Sequence, residues 1–336
     1  MSRRVKVLML TNTLHTGGAE RFLVGLATNL PTSRYEVTVC ATRAHEARLV
    51  HDLRAAGVRY EVLGRSGRFD LMPFARLVKL LRSERYDVLH AHKFGSNFWG
   101  TLFGRLTRTP VVVAHEQTWS YEGQPIRRFI DGRFIGRAAD VMVAVSTRDQ
   151  ERMTTVEGVP ASKTTFIPNA FVPSAGDRHD GDLRAERGVG PEVPLVGTAA
   201  VLRPQKAIDV LIDAFALLVE RLPAARLVIG GNGPMAEEWR AYGDERGLGE
   251  RIHWIGMRSD LPLVLASLDV AVMSSDFEGT PLFAFECMAA RTPLVATDVG
   301  GLRDIFPSSA EAVLVPPRDP AALASAIEEL LLDPAR

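Results

Sequence analysis

Two successive doubly wound α/β domains, each a parallel sheet covered by helices, are the fold class that this 336-residue sequence predicts. Three observations carry it. Short, β-branched apolar runs recur without the alternation of a half-wet strand, and longer helical patterns separate them, as crossover helices separate buried parallel strands. That alternation breaks once, between residues 172 and 192, and then resumes. The length suits about two domains of roughly 150 residues, with cores large enough to need no covalent staple.

In the first domain, residues 1–171, the expected strands are 5–10, 36–40, 88–90, 110–114 and 140–145. Helical patterns such as 20–30 and 73–83 lie between them, and in the latter Phe74, Leu77, Val78 and Leu81 form one apolar stripe. Residues 172–192 crowd Pro173, Ser174, Gly176, Asp177, Asp180, Gly181 and Asp182 together without periodicity, as an interdomain linker would. The second domain, residues 193–336, repeats the pattern. Its expected strands are 193–198, 226–229, 252–255, 270–273, 293–296 and 312–315, and its helices 206–221, 234–247, 259–267, 280–290 and 319–332. Two such halves facing each other would place a ligand cleft at the carboxyl ends of their strands.

Composition excludes several classes. Apolar residues make up 46% and charged residues 24% of the chain, as in globular proteins. Cys40 and Cys287 are the only cysteines, which excludes a disulfide scaffold and suits a reducing cytoplasm. No apolar run approaches the ~18 residues of a membrane span. The short run after Arg3 and Arg4 leads straight into Thr11-Asn12-Thr13, so it reads as a first strand and not as a signal peptide.

A net charge of zero conceals an asymmetry. Residues 1–170 hold 25 Lys and Arg against 15 Asp and Glu, and residues 171–336 hold 15 against 25. A first half at +10 suggests an anionic partner, although drift in surface composition gives the same split. Its basic residues cluster at Arg65/Arg68, at Arg76/Lys79/Arg82/Arg85 and at Arg127/Arg128/Arg133/Arg137. Ile126, Phe129, Ile130, Phe134 and Ile135 interleave with the last group. Such a pattern fits a core helix with solvated arginines, or a helix lying on an anionic membrane.

The stretch Ser274-Ser275-Asp276-Phe277-Glu278-Gly279-Thr280-Pro281-Leu282-Phe283-Ala284-Phe285-Glu286 runs from a strand end through a Gly/Pro loop into a helix. Backbone N–H groups at Gly279, Thr280 and Leu282 would stand at the helix N-terminus, where they suit a diphosphate. Glu286 could accept both hydroxyls of a ribose, and Glu278 could hold hydroxyls of a second sugar. A helix that merely begins with an acidic first turn fits the same residues.

Glu278 and Glu286, followed by Cys287-Met288-Ala289-Ala290, Pro293-Leu294-Val295-Ala296-Thr297 and Gly300-Gly301, closely resemble the signature of glycosyltransferase family 4. Other landmarks agree in order along nearly the whole chain. Gly17-Gly18-Ala19-Glu20 resembles the family's glycine loop near donor phosphate and acceptor. Asp87 to His92 and Val113-Ala114-His115 resemble strands of its acceptor domain, and Ile167-Pro168-Asn169 its crossover. Arg203-Pro204-Gln205-Lys206 resembles the donor-phosphate loop, and Gly230-Gly231-Asn232-Gly233-Pro234 and Trp254-Ile255-Gly256 the next donor-domain turns.

The resemblance implies a retaining, nucleotide-sugar-dependent enzyme of GT-B fold, with an N-terminal acceptor domain and a C-terminal donor domain. Lys206, Glu278 and His115 would be catalytic. Gly17, Gly18, Arg203, Lys206, Glu278, Gly279, Thr280, Pro281, Leu282 and Glu286 would bind donor. Lys206 and the helix-terminus amides would stabilise the departing diphosphate, and His115 would contact the transferred sugar. No metal or other cofactor is expected, and no metal-holding Asp-x-Asp cluster. His90 and His92 share a strand face and with His115 could be imagined as a zinc site, but no fourth ligand accompanies them.

The sequence also departs from the family pattern. Ala200-Val201-Leu202 stands where Gly-Arg-Leu is usual, leaving Arg203 as a possible substitute clamp. Ala207, Arg291 and Ala170 replace usual glycines. The resemblance implies further helices beyond Pro334, so either those are truncated here or the cleft closes differently, and an incomplete apolar surface is expected on the first domain. The reading is a hexosyltransferase, using UDP- in preference to GDP-sugars and acting on a glycan, lipid-linked or polysaccharide acceptor. It would be cytoplasmic, with peripheral membrane contact through the basic first domain and no nucleic-acid partner. The alternatives are a degenerate GT-B nucleotide-sugar-binding protein and a sugar-nucleotide epimerase; the paired glutamates speak against the epimerase.

Overall fold

The computed structural model describes residues 3–15, 17–44, 48–67, 70–118, 124–171, 181–308 and 311–333. Its chain divides into two compact units, Met1–Ala170 and Phe171–Arg336.

The first unit is a seven-stranded, wholly parallel sheet of β1 Val5–Thr11, β2 Tyr35–Ala41, β3 Arg59–Val62, β4 Val88–His92, β5 Val111–His115, β6 Val141–Ala144 and β7 Thr164–Phe166. The strands lie in the order β3-β2-β1-β4-β5-β6-β7. Leu8, Met9 and Leu10 of central β1 are at most 1% exposed, each contributing about 1.5–3 kcal/mol through burial. Helices α1 Gly18–Asn29, α2 Arg48–Ala55, α3 Phe74–Glu84, α4 Phe94–Leu106, α5 Pro125–Ile130, α6 Gly136–Ala138 and α7 Thr147–Thr155 connect the strands. A π-helical turn, Asp131–Ile135, joins α5 to α6.

Two strands go beyond the sequence expectation. β3 and β7 are the sheet's edges, and neither has a fully buried residue, which is why their composition lacks an apolar run. Strands expected at 88–90 and 110–114 extend to His92 and His115. Both imidazoles therefore stand at the carboxyl edge of the sheet.

The second unit has six parallel strands: β8 Leu195–Ala199, β9 Arg226–Gly230, β10 Ile252–Gly256, β11 Val270–Met273, β12 Leu294–Thr297 and β13 Val313–Val315. Their order is β10-β9-β8-β11-β12-β13, the doubly wound order of dinucleotide-binding sheets. Helices α8 Leu183–Glu186, α9 Ile208–Arg221, α10 Ala236–Glu245, α11 Leu261–Ser267, α12 Leu282–Ala290, α13 Leu302–Ile305 and α14 Pro320–Leu332 complete it. The reading of 172–192 as linker needs correction at its second half; residues 172–180 lie outside the described residues. Leu183 and Val189 pack into this unit's core, and Arg184 ties Asp269 with a 2.7 Å ion pair. Among the described residues no helix is long and apolar enough to cross a membrane.

Candidate active site

Carboxyl strand edges gather most of the predicted residues, unit by unit. In the second unit, β11 ends at Met273 and α12 begins at Leu282, so Gly279, Thr280 and Pro281 lie just before the helix and Glu286 one turn inside it. Pro281 occupies the N-cap with no side-chain cap bond, and the Ala284 N–H of the first turn donates to its carbonyl at 3.3 Å. Glu278 and Glu286 are each only 7% exposed. Burial, together with the neighbouring Glu286 charge, pushes the Cys287 thiol far above its usual range.

Lys206, at the end of the turn Pro204–Lys206 that precedes α9, reaches Glu278 Oε1 at 2.5 Å. Ser275 Oγ donates to the same oxygen at 2.7 Å, and Gln205 Nε2 donates to the Phe277 carbonyl at 2.8 Å. The Asp276 N–H returns a bond to the Gln205 carbonyl at 2.9 Å, and Ser274 Oγ bonds the Lys206 carbonyl. Two loops far apart in sequence are thereby fastened together around one ion pair. Gly300 packs against the second loop: at φ +57°, any Cβ would stand 2.0 Å from the Glu278 carbonyl oxygen. The Gly301 N–H donates to the Gly279 carbonyl at 2.8 Å.

Arg203 is exposed, with no side-chain partner recorded among the described residues. Ala207 and Arg291, where glycine is usual, both adopt left-handed backbone, at φ +46° and +59°. Sequence reading missed Arg318, whose guanidinium grips Asp276 and also pairs with Asp209 at 2.8 Å. Nothing in its motif neighbourhood signals that role.

In the first unit, His90 Nε2 and His115 Nδ1 lie 3.1 Å apart with their rings nearly parallel. His92 Nδ1 is 3.4 Å from Gln117 Nε2, and Gln117 Oε1 accepts from Asn169. Phe22 meets His115 edge-on at 5.5 Å. Asn97 orients this strand end, accepting the His115 N–H at 3.1 Å and donating to Glu116 at 2.7 Å. Burial holds His90 down to about 4, and His92 and His115 well below the usual imidazole range. Each triad member offers a ring nitrogen within 4.8 Å of the others. The close His90–His115 nitrogens already serve each other, however, and among the described residues the Nε2 atoms of His92 and His115 have no hydrogen-bond partner.

Gly17 is the N-cap of α1, and Gly18 is its first residue. An Asp-x-Asp triplet does occur, as Asp180-Gly181-Asp182. Asp180 lies outside the described residues, and Asp182 caps α8 by accepting the Arg184 N–H.

Residues 16–174 match the family described as Glycosyltransferase Family 4, and residues 192–333 match that described as Glycosyl transferases group 1. The chain belongs to glycosyltransferase family 4. Alpha-D-kanosaminyltransferase of Streptomyces kanamyceticus is 26% identical over 82% of this chain and 76% of its own length. The UDP-Gal:alpha-D-GlcNAc-diphosphoundecaprenol alpha-1,3-galactosyltransferase of Escherichia coli is 26% identical over 69% and 63%. Anabaena HepE, solved with UDP-glucose, superposes with a TM-score of 0.84 at 23% identity, covering 99% of this chain and 91% of that one. As a family 4 glycosyltransferase the chain has the GT-B fold, built from two Rossmann-like parallel-sheet units.

Proposed function

We propose that this glycosyltransferase moves a hexose from a UDP-sugar, in preference to a GDP-sugar, to a hydroxyl of a glycan, lipid-linked or polysaccharide acceptor. Transfer would retain anomeric configuration and need no metal. The second unit would bind the donor and the first the acceptor. The observation that carries this reading is the Lys206–Glu278–Ser275 cluster at the entrance of α12, inside the matched signature. The choice of UDP draws support from HepE, solved with UDP-glucose, and from the E. coli relative, named for UDP-Gal. The latter's diphosphoundecaprenol acceptor supports a lipid-linked class.

Breaking the bond between sugar C1 and the diphosphate oxygen leaves charge on phosphate. A fixed ammonium and the positive end of a helix dipole stabilise that charge most in the transition state. Lys206 pairs with Glu278, so a bound diphosphate would compete for the ammonium while sugar hydroxyls take over the carboxylate. The acceptor oxygen would attack C1 from the departing face and pass its proton to the leaving phosphate. His115, neutral at physiological pH because it is buried, would contact the sugar by hydrogen bonding and not by charge. Arg203 would supply the phosphate clamp that Val201 cannot.

Calorimetric titration with UDP-, GDP- and ADP-glucose tests the reading. Selective UDP-glucose binding, lost in Lys206→Ala, is the expected result. Lys206→Ala and Glu286→Ala should each lower turnover by about 100-fold or more while the circular dichroism spectrum stays unchanged, and EDTA should leave wild-type turnover intact. Donor binding without transfer would favour the degenerate binding protein, and a folded chain that binds none of the three would overturn both.

The same reading sets the first unit against the cytoplasmic face of an anionic membrane. Ile126 and Phe129 are 76% and 66% exposed, and Arg128, Arg133 and Arg137 are exposed on the same helical run. Ile130, Phe134 and Ile135 turn the other way and pack into the core. The inner face thus packs as a core helix would, and the exposed apolar and basic residues of the outer face support the membrane reading. Leu71 and Met72 stand exposed before α3, whose outer side carries Arg76, Lys79 and Arg82; Arg68 lies outside the described residues.

A further inference from the structure

Lys93 is the N-cap of α4 and has φ +70° and ψ +153°, a combination that is essentially reserved for glycine and persists only where the surroundings impose it. Its N–H donates to the His115 carbonyl at 2.9 Å. Its ammonium reaches across to an ion pair with Glu20 Oε1. Glu20 is only 5% exposed and lies in the first turn of α1. Its carboxylate presses on the turn before it, since a Cβ on Gly17 would stand 2.4 Å from Glu20 Oε2. A buried negative charge therefore sits against Gly17 at the start of α1, where the Gly17 N–H already donates to the His15 carbonyl at 2.8 Å.

That placement opposes anion binding. The aligned peptides of α1 give its N-terminus roughly half a positive charge, and a lone carboxylate in the first turn more than cancels it. A phosphate approaching Gly17-Gly18 would then meet net repulsion, strengthened by burial. We infer that Lys93 is a positioning residue: by neutralising buried Glu20 it keeps the α1 N-terminus attractive to a phosphate group, and the strained backbone is what brings its ammonium there. This inference rests on the transferase reading of the Gly17-Gly18 turn, and the phosphate could belong to the donor diphosphate or to a phosphorylated acceptor.

Calorimetry with UDP-glucose and with glucose 6-phosphate, which carries no nucleotide, separates the two sources. Lys93→Met should weaken one of them by about ten-fold. Lys93→Gly, which removes the backbone strain and so protects folding, should weaken it equally. Adding Glu20→Gln to Lys93→Met should restore affinity to within about three-fold of wild type, because the pair is again neutral. A clamp that served folding alone would not be rescued in this way. Wild-type affinity in both single variants would overturn the inference, as would a double variant no better than Lys93→Met. Wild-type protein that binds neither probe would overturn the transferase reading and the inference with it.

Discussion

Lys206 and Glu278 are 72 positions apart and share one short ion pair, yet each is expected as a site residue from its own local motif. What the motifs lacked was the pairing itself. Ser275, Gln205 and Arg318 support that pair, and only the first two lie within recognisable stretches. The three histidines teach a related lesson. Strand periodicity places His90 and His92 on one face, but the contact of His90 with His115 depends on β4 and β5 being neighbours. Burial depresses all three imidazoles, so in the folded state they stay neutral where an unfolded chain would protonate. Stability is then fully present above pH ~6.5 and falls as the pH drops from there towards about 4, since the unfolded state binds the extra protons. Thermal denaturation between pH 7.5 and 4.5 should show this loss, and His90→Phe should reduce its slope. An unchanged slope would show that other groups carry it.

At the scale of elements, runs with two buried faces were legible and the first unit's edges were not, whereas the second unit's edges β10 and β13 keep enough apolar residues to be read as strands. β1 and β11 have apolar residues at nearly every position, whereas β3 reads Arg-Tyr-Glu-Val and β7 Thr-Thr-Phe. An edge strand needs only one paired side, so its sequence carries little apolar signal. α4 escaped notice for a different reason: the face it buries consists of Ser96, Asn97, Gly100, Thr101 and Gly104, small residues that give no hydrophobic stripe. The departures from the family pattern also acquire a physical meaning at this scale. Arg291 ends α12 in a left-handed conformation, which costs an L-residue about 1–2 kcal/mol. Arg291→Gly should therefore stabilise the chain by about 1 kcal/mol, measured as a higher urea midpoint at unchanged slope. A lower midpoint would mean that the Arg291 side chain contributes more than its backbone costs.

Taken whole, the molecule carries its charge asymmetry unit by unit, because the division of the chain falls at Ala170/Phe171, where the charge count changes sign. The basic first unit should sediment with phosphatidylcholine/phosphatidylglycerol vesicles at 0.1 M salt, less at 0.5 M, and not with phosphatidylcholine alone. Ile126→Ser with Phe129→Ser should weaken that binding about ten-fold without changing donor affinity. Absence of salt-sensitive binding to anionic vesicles would remove the membrane from the proposal. The amino-acid sequence by itself determined the doubly wound class and the parallel strands of both interiors, and it singles out the motif-borne candidates from Lys206 to Glu286, because burial on two faces and backbone-dictated loops leave local signatures. Tertiary structure alone decided the Lys206–Glu278 and Lys93–Glu20 pairs, the stacked histidines and which side of the 125–138 helix meets solvent. Those depend on which strand ends stand side by side, and chain order along the sequence does not carry that information.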